Sequence, residues 1–347
     1  MPKGFEIGPI RPPSEADSLL LRITRNCPWN KCKFCNIYKG QRFSVRSIDD
    51  IKAEIDQVAS RSGDIADWMP CDAESVFLQD ANTMALSFDK LREILTYLRE
   101  KLPNVKRVTS YGRVDSLAKF SVGQLAELKA AGLDRVHSGY ESGSDKVLAL
   151  IGKGYTKTQE IEAGQKVKAS GIEFSIYFMP GVGGRELSRD NALETADVVN
   201  KVNPDFVRIR TFVSIPGTGL MEDIQNGLIR ECTDKEKMLE LKSMIENIDG
   251  ADGYLFSDHI INLLEDVKGN LSADKEKMLL KFEAFEKLGP RDQKKYQIAR
   301  RMGMVRTPGQ MGRIDDYYMS IIDARLEQLG DDDEFEEFLL GFLRRYI

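Results

Sequence analysis

The stretch Leu19-Leu20-Leu21-Arg22-Ile23-Thr24-Arg25-Asn26-Cys27-Pro28-Trp29-Asn30-Lys31-Cys32-Lys33-Phe34-Cys35 decides how the rest of the chain is read. It opens as a short apolar run with the length and composition of a strand, and then places three cysteines within nine residues. Pro28-Trp29-Asn30 is turn-prone, so the cysteines lie on a loop. Three thiols packed this tightly cannot all be inert core residues on one face of a helix or strand, and a shared metal or cluster is the natural reading. A structural zinc site closes with four ligands. This loop supplies three, so zinc would require Cys71 or Cys232 to fold close. A disulfide framework suits the odd total of five cysteines poorly. The first residues, Met1-Pro2-Lys3-Gly4-Phe5, also lack the charged-then-apolar layout of a secretion signal.

Composition sets the outer bounds. A chain of 347 residues with 41% hydrophobic and 30% charged residues is an ordinary globular protein with a sizeable core. No apolar run approaches the roughly 20 residues of a membrane span, and a cytoplasmic chain with reduced thiols is expected. Lys and Arg total 50 against 55 for Asp and Glu, a net charge of −5. That balance carries no global electrostatic footprint for nucleic acid and favours a small-molecule substrate.

Short apolar runs alternate with amphipathic stretches between residues 19 and 213. The expected strands are Leu19–Thr24, Ser75–Gln79, Val105–Ser110, Leu133–Tyr140, Ile172–Met179 and Phe206–Val213. Ser47 opens a helix with Ile48, Ile51, Ile55 and Val58 on one face, and Ser87 precedes Phe88, Leu91, Ile94, Leu95 and Leu98. Ser121 with Gln124, and Thr156 with Gln159, have the spacing of capping boxes. Ser188 is expected to start another helix. Strands alternating with helices imply an α/β fold with a parallel sheet, and six strands are too few for an eight-stranded barrel. The alternation stops after Pro216-Gly217-Thr218-Gly219. Beyond about residue 226 the pattern predicts helices over Asp234–Asn247, Ser272–Gly289, Pro290–Met302, Arg313–Leu329 and Glu334–Tyr346. Residues 1–18 then form an N-terminal extension, 19–225 the core and 226–347 a C-terminal helical region that covers the open side of the core. Asp331-Asp332-Asp333 reads as a solvated linker or helix start. Phe335, Phe338, Leu339, Phe342 and Leu343 make a stripe expected to dock on the core.

The cysteine loop, with Phe34 just before its last cysteine, resembles that of the radical S-adenosylmethionine superfamily. The string Gly139-Tyr140-Glu141-Ser142-Gly143-Ser144 is similar to the branch holding the Elongator catalytic subunit, the tRNA methylthiotransferases and oxygen-independent coproporphyrinogen oxidase. The superfamily usually spaces its cysteines by three and then two residues. This loop reads C-x4-C-x2-C, with one extra residue before Cys32. The resemblance covers roughly residues 15–225 and implies an open partial (β/α)6 barrel. It implies further that Cys27, Cys32 and Cys35 hold a [4Fe–4S] cluster whose open iron is chelated by S-adenosylmethionine. An electron from flavodoxin or ferredoxin would then cleave the sulfonium to a 5′-deoxyadenosyl radical. No protein acid or base need take part.

Other site residues follow from the same resemblance. Asp80, and Gln79 after it, occupy the strand end where relatives hold the amino group of S-adenosylmethionine, although the glycines of that motif are absent here. Asn82 reads equally as a cap. Glu141 would accept from the ribose hydroxyls without a structural partner of its own, and Lys153 would pair with the cofactor carboxylate. Pro180 and Gly181, in Tyr177-Phe178-Met179-Pro180-Gly181-Val182-Gly183-Gly184, would floor the adenine. Arg208 and Arg210 share one face of the last strand. One of them would meet a substrate carboxylate, unless both turn toward structural acids. Tyr111 and Arg113, after the third strand, are softer candidates of the same kind. Of the two histidines, His137 reads as a satisfied core residue. His259 lies in a polar island, partly explained by helix capping from Ser257 or Asp258. Substrate identity is not written in the sequence. Methylthiotransferase chemistry would need a second cysteine triad, and only Cys71 and Cys232 remain. Coproporphyrinogen oxidase-like activity is one alternative, and a non-catalytic iron–sulfur or zinc protein is another.

Overall fold

The computed structural model describes residues 5–60 and 73–346. Cys71 lies outside the described residues. The chain divides into two compact units, Met1–Tyr140 with Thr158–Ile176, and Glu141–Lys157 with Tyr177–Ile347.

The first unit is built on parallel strands. β1 (Leu19–Arg22) is followed by the two-residue β2 (Thr24–Arg25) and β3 (Ser44–Val45), then β4 (Ser75–Gln79), β5 (Arg107–Tyr111), β6 (Arg135–Glu141) and β7 (Glu173–Phe178). β6 and β7 each cross the unit boundary near their C-terminal ends. β1 pairs with β4, β4 with β5 and β5 with β6, all parallel, with Leu21 opposite Leu78 and Phe77 opposite Thr109. Parallel strands covered on both faces carry continuous apolar runs, and Leu19, Leu21, Val76, Phe77 and Leu78 are accordingly buried. The helices Ile48–Ser60 and Phe88–Lys101 bury the stripes read from the sequence, including Ile51, Ile55, Leu91, Ile94, Leu95 and Leu98. The box of Ser121 and Gln124 is formed, and opens the helix Val122–Ala130. His137 is a satisfied core residue, wholly buried, with Nε2 3.3 Å from Glu15 Oε1.

The second unit holds β8 (Phe206–Ile209), β9 (Tyr254–Phe256) and β10 (Lys268–Asn270). β9 runs parallel to β8 with Arg208 opposite Phe256, and β10 returns antiparallel to β9. The expectation that everything beyond residue 226 is helical therefore needs correction. Tyr254-Leu255-Phe256 is too short to show a period, and Lys268-Gly269-Asn270 has no apolar residue to show one. The five expected C-terminal helices are present as Asp234–Glu246, Lys275–Glu286, Pro290–Arg301, Asp316–Gln328 and Asp332–Leu343. Asp331 caps the last of them, accepting from the Glu334 N–H. Phe335, Leu339 and Leu343 of its stripe are buried, and Leu343 packs against Val213 and Ile261. Ser188 does not start a helix. The helix there runs Gly184–Val202, and Ser188 lies one turn inside it. The class is the expected one, a mostly parallel sheet with surrounding helices and further helices toward the C-terminus. No described helix is long and apolar enough to cross a membrane.

Candidate functional site

The cysteine loop is an excursion from a minimal ribbon. β2 pairs antiparallel with β3, Thr24 opposite Val45, so the chain leaves at Asn26 and returns at Phe43 beside its starting point. Within the loop the side chains of two asparagines replace regular structure. Asn26 (φ +67°) and Asn30 (φ +47°) adopt the left-handed conformation that asparagine tolerates better than most residues. Asn26 Nδ2 donates to the Arg42 carbonyl at 2.7 Å, and Asn30 Nδ2 to that of Tyr38 at 2.6 Å. Cys32 is buried, Cys27 and Cys35 are half-buried, and none of the three is in a disulfide. The Asn30 N–H points to Cys27 Sγ at 3.5 Å. Among the described residues no three His, Cys, Asp or Glu side chains are gathered tightly enough for a single metal ion. Thiolates that hold a cluster bind separate irons and span it.

Asp80 closes this loop. Its carboxylate is fully buried and accepts from Arg22 Nη2 at 2.7 Å, from the Asn26 N–H at 3.2 Å and from the Tyr38 hydroxyl. Its own N–H donates to Thr24 Oγ1 at 3.1 Å. One side chain thus pins the residue before Cys27 to a residue just after Cys35. Burial, with the bond to Asp80 adding to it, pushes the Tyr38 hydroxyl well above the usual tyrosine range, so it donates at any ordinary pH. Beneath lies a charge network of Arg22, Arg25 and Arg46 against Glu6, Glu54 and Asp80. The Arg46–Glu54 pair within it is fully buried. Gln79 has a different role. Its Oε1 accepts from the Gly8 N–H at 2.8 Å and its Nε2 donates to the Gly8 and Ile10 carbonyls, tying the N-terminal segment to β4.

The Asn82 side chain makes no cap bond to the turn Thr83–Ala85 that it precedes. It accepts from the Arg113 N–H at 3.0 Å and donates to Ser116 Oγ at 2.8 Å, joining the turns after β4 and β5. The Arg113 guanidinium donates to Asp115 at 3.0 Å and lies 5.2 Å from the Trp29 ring centre, over the cysteine loop. Phe34 is half-buried in that loop, and Tyr111 meets Phe77 edge-on at 5.1 Å.

In the second unit Glu141, the last residue of β6, has φ +66°, a left-handed conformation uncommon for glutamate and costly outside a constrained site. Its carbonyl accepts from the Met179 N–H at 2.9 Å. Lys153 Nζ donates to Glu141 Oε1 at 3.3 Å, with 5% of Lys153 and 9% of Glu141 exposed. The expectation that Glu141 has no structural partner is thereby corrected, since both residues lie where an unpaired charge is expensive. Gly143, in the same string, is required by packing. A Cβ there would sit 2.5 Å from the Glu194 carbonyl oxygen, and its N–H donates to Thr195 Oγ1 at 2.8 Å.

The Pro180-Gly181 turn is held from three sides. Phe212 N–H donates to the Pro180 carbonyl at 2.8 Å, Gly181 (φ +84°) donates to Glu240 Oε1 at 2.9 Å, and the Lys237 stem fills the space a Gly181 side chain would need. Glu240 also accepts from Asn191 Nδ2 at 2.6 Å and from the Ser188 hydroxyl. Burial pushes its carboxyl up to about 7, with those hydrogen bonds opposing the rise. Nothing in the sequence marks Glu240 except an acid on the apolar side of an amphipathic helix. Tyr38 and Asn30 were missed for a similar reason, because their partners are distant or are backbone atoms.

Arg208 is buried, its guanidinium carbon 4.9 Å from the Phe256 ring centre and 5.9 Å from that of Phe206. Neither it nor Arg210 has a structural acid as partner among the described residues, so that alternative does not hold. His259 lies on an irregular segment, and Ser257 donates to the Leu264 carbonyl at 2.9 Å instead of capping a helix. Cys232 is buried, and burial pushes its thiol up to about 12, so it stays protonated and inert.

A family model described as the Radical SAM superfamily matches residues 21–196. The chain is 28% identical over 232 residues to an uncharacterized methyltransferase of Pyrococcus horikoshii, covering 64% of this chain and 47% of that protein. It is 24% identical over 233 residues to the tRNA-2-methylthio-N6-dimethylallyladenosine synthase of Syntrophus aciditrophicus, covering 66% and 48% respectively. The chain thus spans about half the length of these relatives. Among solved structures, coproporphyrinogen III oxidase from Escherichia coli, described as a radical SAM enzyme, aligns with a TM-score of 0.48 at 14% identity, over 65% of this chain and 50% of that one.

Proposed function

Given that the chain belongs to the radical SAM superfamily and is an enzyme of that class, we propose that Cys27, Cys32 and Cys35 hold a [4Fe–4S] cluster at which S-adenosylmethionine binds. The observation that carries this reading is the donor set itself: three thiols free of disulfides, on one loop whose two stems are pinned by Asp80. The extra residue of the C-x4-C spacing is absorbed by Asn30, whose left-handed turn and side-chain bonds close the loop behind it. When bound, the cluster and S-adenosylmethionine supply an electron-driven cleavage that yields a 5′-deoxyadenosyl radical able to take hydrogen from a substrate.

The protein's part is binding, orientation and exclusion of water. Glu141 uses one carboxylate oxygen for Lys153 and has the other to accept from ribose hydroxyls. Lys153, paired with Glu141, also faces the carboxylate of the cofactor. Pro180 and Gly181 offer backbone and an apolar surface to the adenine, and Glu240 fixes that turn. Phe34 packs beside the last thiolate. Asp80 and Gln79 have their polar atoms committed to the protein, Asp80 to shape the loop and Gln79 to hold the N-terminal segment, and not to grip the amino group. Arg113, stacked on Trp29, shields the loop from solvent. The substrate is a small molecule, in keeping with a net charge of −5. Flavodoxin or ferredoxin supplies the electron, and the chain works in the cytoplasm, where thiols stay reduced.

Anaerobic reconstitution followed by dithionite and S-adenosylmethionine tests the reading. Four irons and four sulfides per chain with release of 5′-deoxyadenosine are expected. A fully loaded protein that forms no 5′-deoxyadenosine refutes it.

A further inference from the structure

Buried arginines in this fold come with an acid. Arg46 is paired with Glu54 and Arg301 with Asp234, each pair almost wholly removed from solvent. Arg208 breaks that rule. It is 7% exposed, its Nε is buried without an acceptor, and among the described residues its side chain makes no hydrogen bond or ion pair. The surroundings are aromatic instead. Arg208 sits on β8 opposite Phe256 of β9, beside the adjacent rings of Phe256 and Phe206, whose centres are 6.1 Å apart. Half-buried Tyr254 lies against Phe256, with ring centres 4.6 Å apart.

Aromatic faces hold a guanidinium through its π surface and accept none of its in-plane hydrogens. The N–H fork is therefore oriented and unused. Arg210 follows two residues later, on the same side of the chain. It too makes no side-chain hydrogen bond or ion pair among the described residues. Neighbouring His259 adds no negative charge. Burial drives it down to about 4, the positive charges of Arg210 and Arg300 push the same way, and exposed Asp258 opposes them. His259 Nδ1 accepts from the Ile261 N–H at 3.3 Å, the arrangement of a neutral ring.

We infer that Arg208 and Arg210 form a binding site for a carboxylate carried by the substrate on a flat, apolar or aromatic body. An arginine fork takes a carboxylate through two parallel hydrogen bonds, and the flanking rings take the body attached to it. This assigns a substrate class and rests on the enzyme reading above, yet its test needs neither turnover nor a reduced cluster.

The probe is benzoate, compared with the uncharged isostere benzamide. Both are titrated calorimetrically into the full chain, before and after anaerobic reconstitution. Benzoate should bind at least about tenfold more tightly than benzamide. Arg208→Met should abolish that preference, and Arg208→Lys, a point charge without the fork, should reduce it severalfold. If Arg208→Met fails to fold, Arg208→Lys and Arg210→Met decide, each expected to weaken benzoate while leaving benzamide unchanged. Equal binding of the two probes by the wild-type chain overturns the site, as does an undiminished preference in the folded variants. A methionine arm separates the two sources of a carboxylate. Benzoate binding that persists under saturating methionine supports a substrate site, and displacement by methionine overturns that assignment in favour of the cofactor's own carboxylate.

Discussion

Replacing Asp80 with alanine should open the cysteine loop without altering a cysteine. The carboxylate is wholly buried and accepts from Arg22, the Asn26 N–H and the Tyr38 hydroxyl, so its removal frees both stems together. Breaking a buried ion pair by deleting one partner costs about 3–5 kcal/mol. The lower figure applies, because the Arg22 side chain keeps 15% exposure and has Glu6 at 3.8 Å as a second partner. At 1.4 kcal/mol per factor of ten, about 3 kcal/mol raises the population of the opened loop by roughly two powers of ten. Cys32 reports that population, being buried at 8% exposure, whereas Cys27 and Cys35 are already accessible. The assay is site-resolved alkylation of the reduced, cluster-free chain with iodoacetamide, read by peptide mass spectrometry. Cys32 should react about a hundredfold faster in Asp80→Ala. Asp80→Asn and Tyr38→Phe, each losing part of the network, should give about tenfold. Cys232 serves as the control for global unfolding. An unchanged Cys32 rate in Asp80→Ala refutes the argument. An equal rise at Cys232 refutes it as well, because the effect would then not belong to the loop.

Iron and sulfide counts on anaerobically prepared Cys27→Ala, Cys32→Ala and Cys35→Ala should each fall, while Cys232→Ala keeps a full cluster; retention in the triple variant would remove the cluster from this loop. Glu141→Ala should weaken S-adenosylmethionine binding by roughly ten- to a hundredfold, from hydrogen bonds to a charged group of about 1.5–3 kcal/mol. It also strips a partner from buried Lys153, so the thermal midpoint should fall in Glu141→Ala and much less in Glu141→Gln; wild-type affinity in both variants would end the cofactor role. Glu240, with its folded value raised to about 7 from 4.5, binds more protons folded than unfolded. Its contribution to stability is therefore full below about pH 4.5 and is lost as the pH rises through about 7. Chemical denaturation between pH 5 and 8 should show that decline lessened in Glu240→Gln, with Glu336, also raised to about 7 by burial, accounting for part of what remains. An unchanged slope would mean that Glu240 does not titrate in this window.

What the sequence determined by itself is what rests on local, periodic or short-range chemistry. The alternation of apolar runs with stripes such as Ile48-Ile51-Ile55 gave the α/β class, because burial of a face imposes its period on the residues that form it. The capping box at Ser121 and Gln124 lies within a few residues of the groups it satisfies. The three cysteines are legible because a cluster's ligands can share one loop. Tertiary structure decided the rest, for one physical reason: these partners are brought together only by folding. Asp80 is an acid at a strand end in the sequence, and becomes the clasp of the cysteine loop only when Tyr38, 42 positions away, donates to it. Gly143 reads as one glycine among many until a helix backbone is found against it. Glu141 and Lys153 read as two separate cofactor ligands, and folding pairs them with each other. β9 and β10 are too short for any period; β9 pairs with the edge of β8, and β10 with that of β9. Arg208 and Arg210 carry the sharpest lesson. Their spacing announced a shared face, but only the fold could bring Phe256 beside Arg208 and, among the described residues, leave both guanidinium groups without an acid.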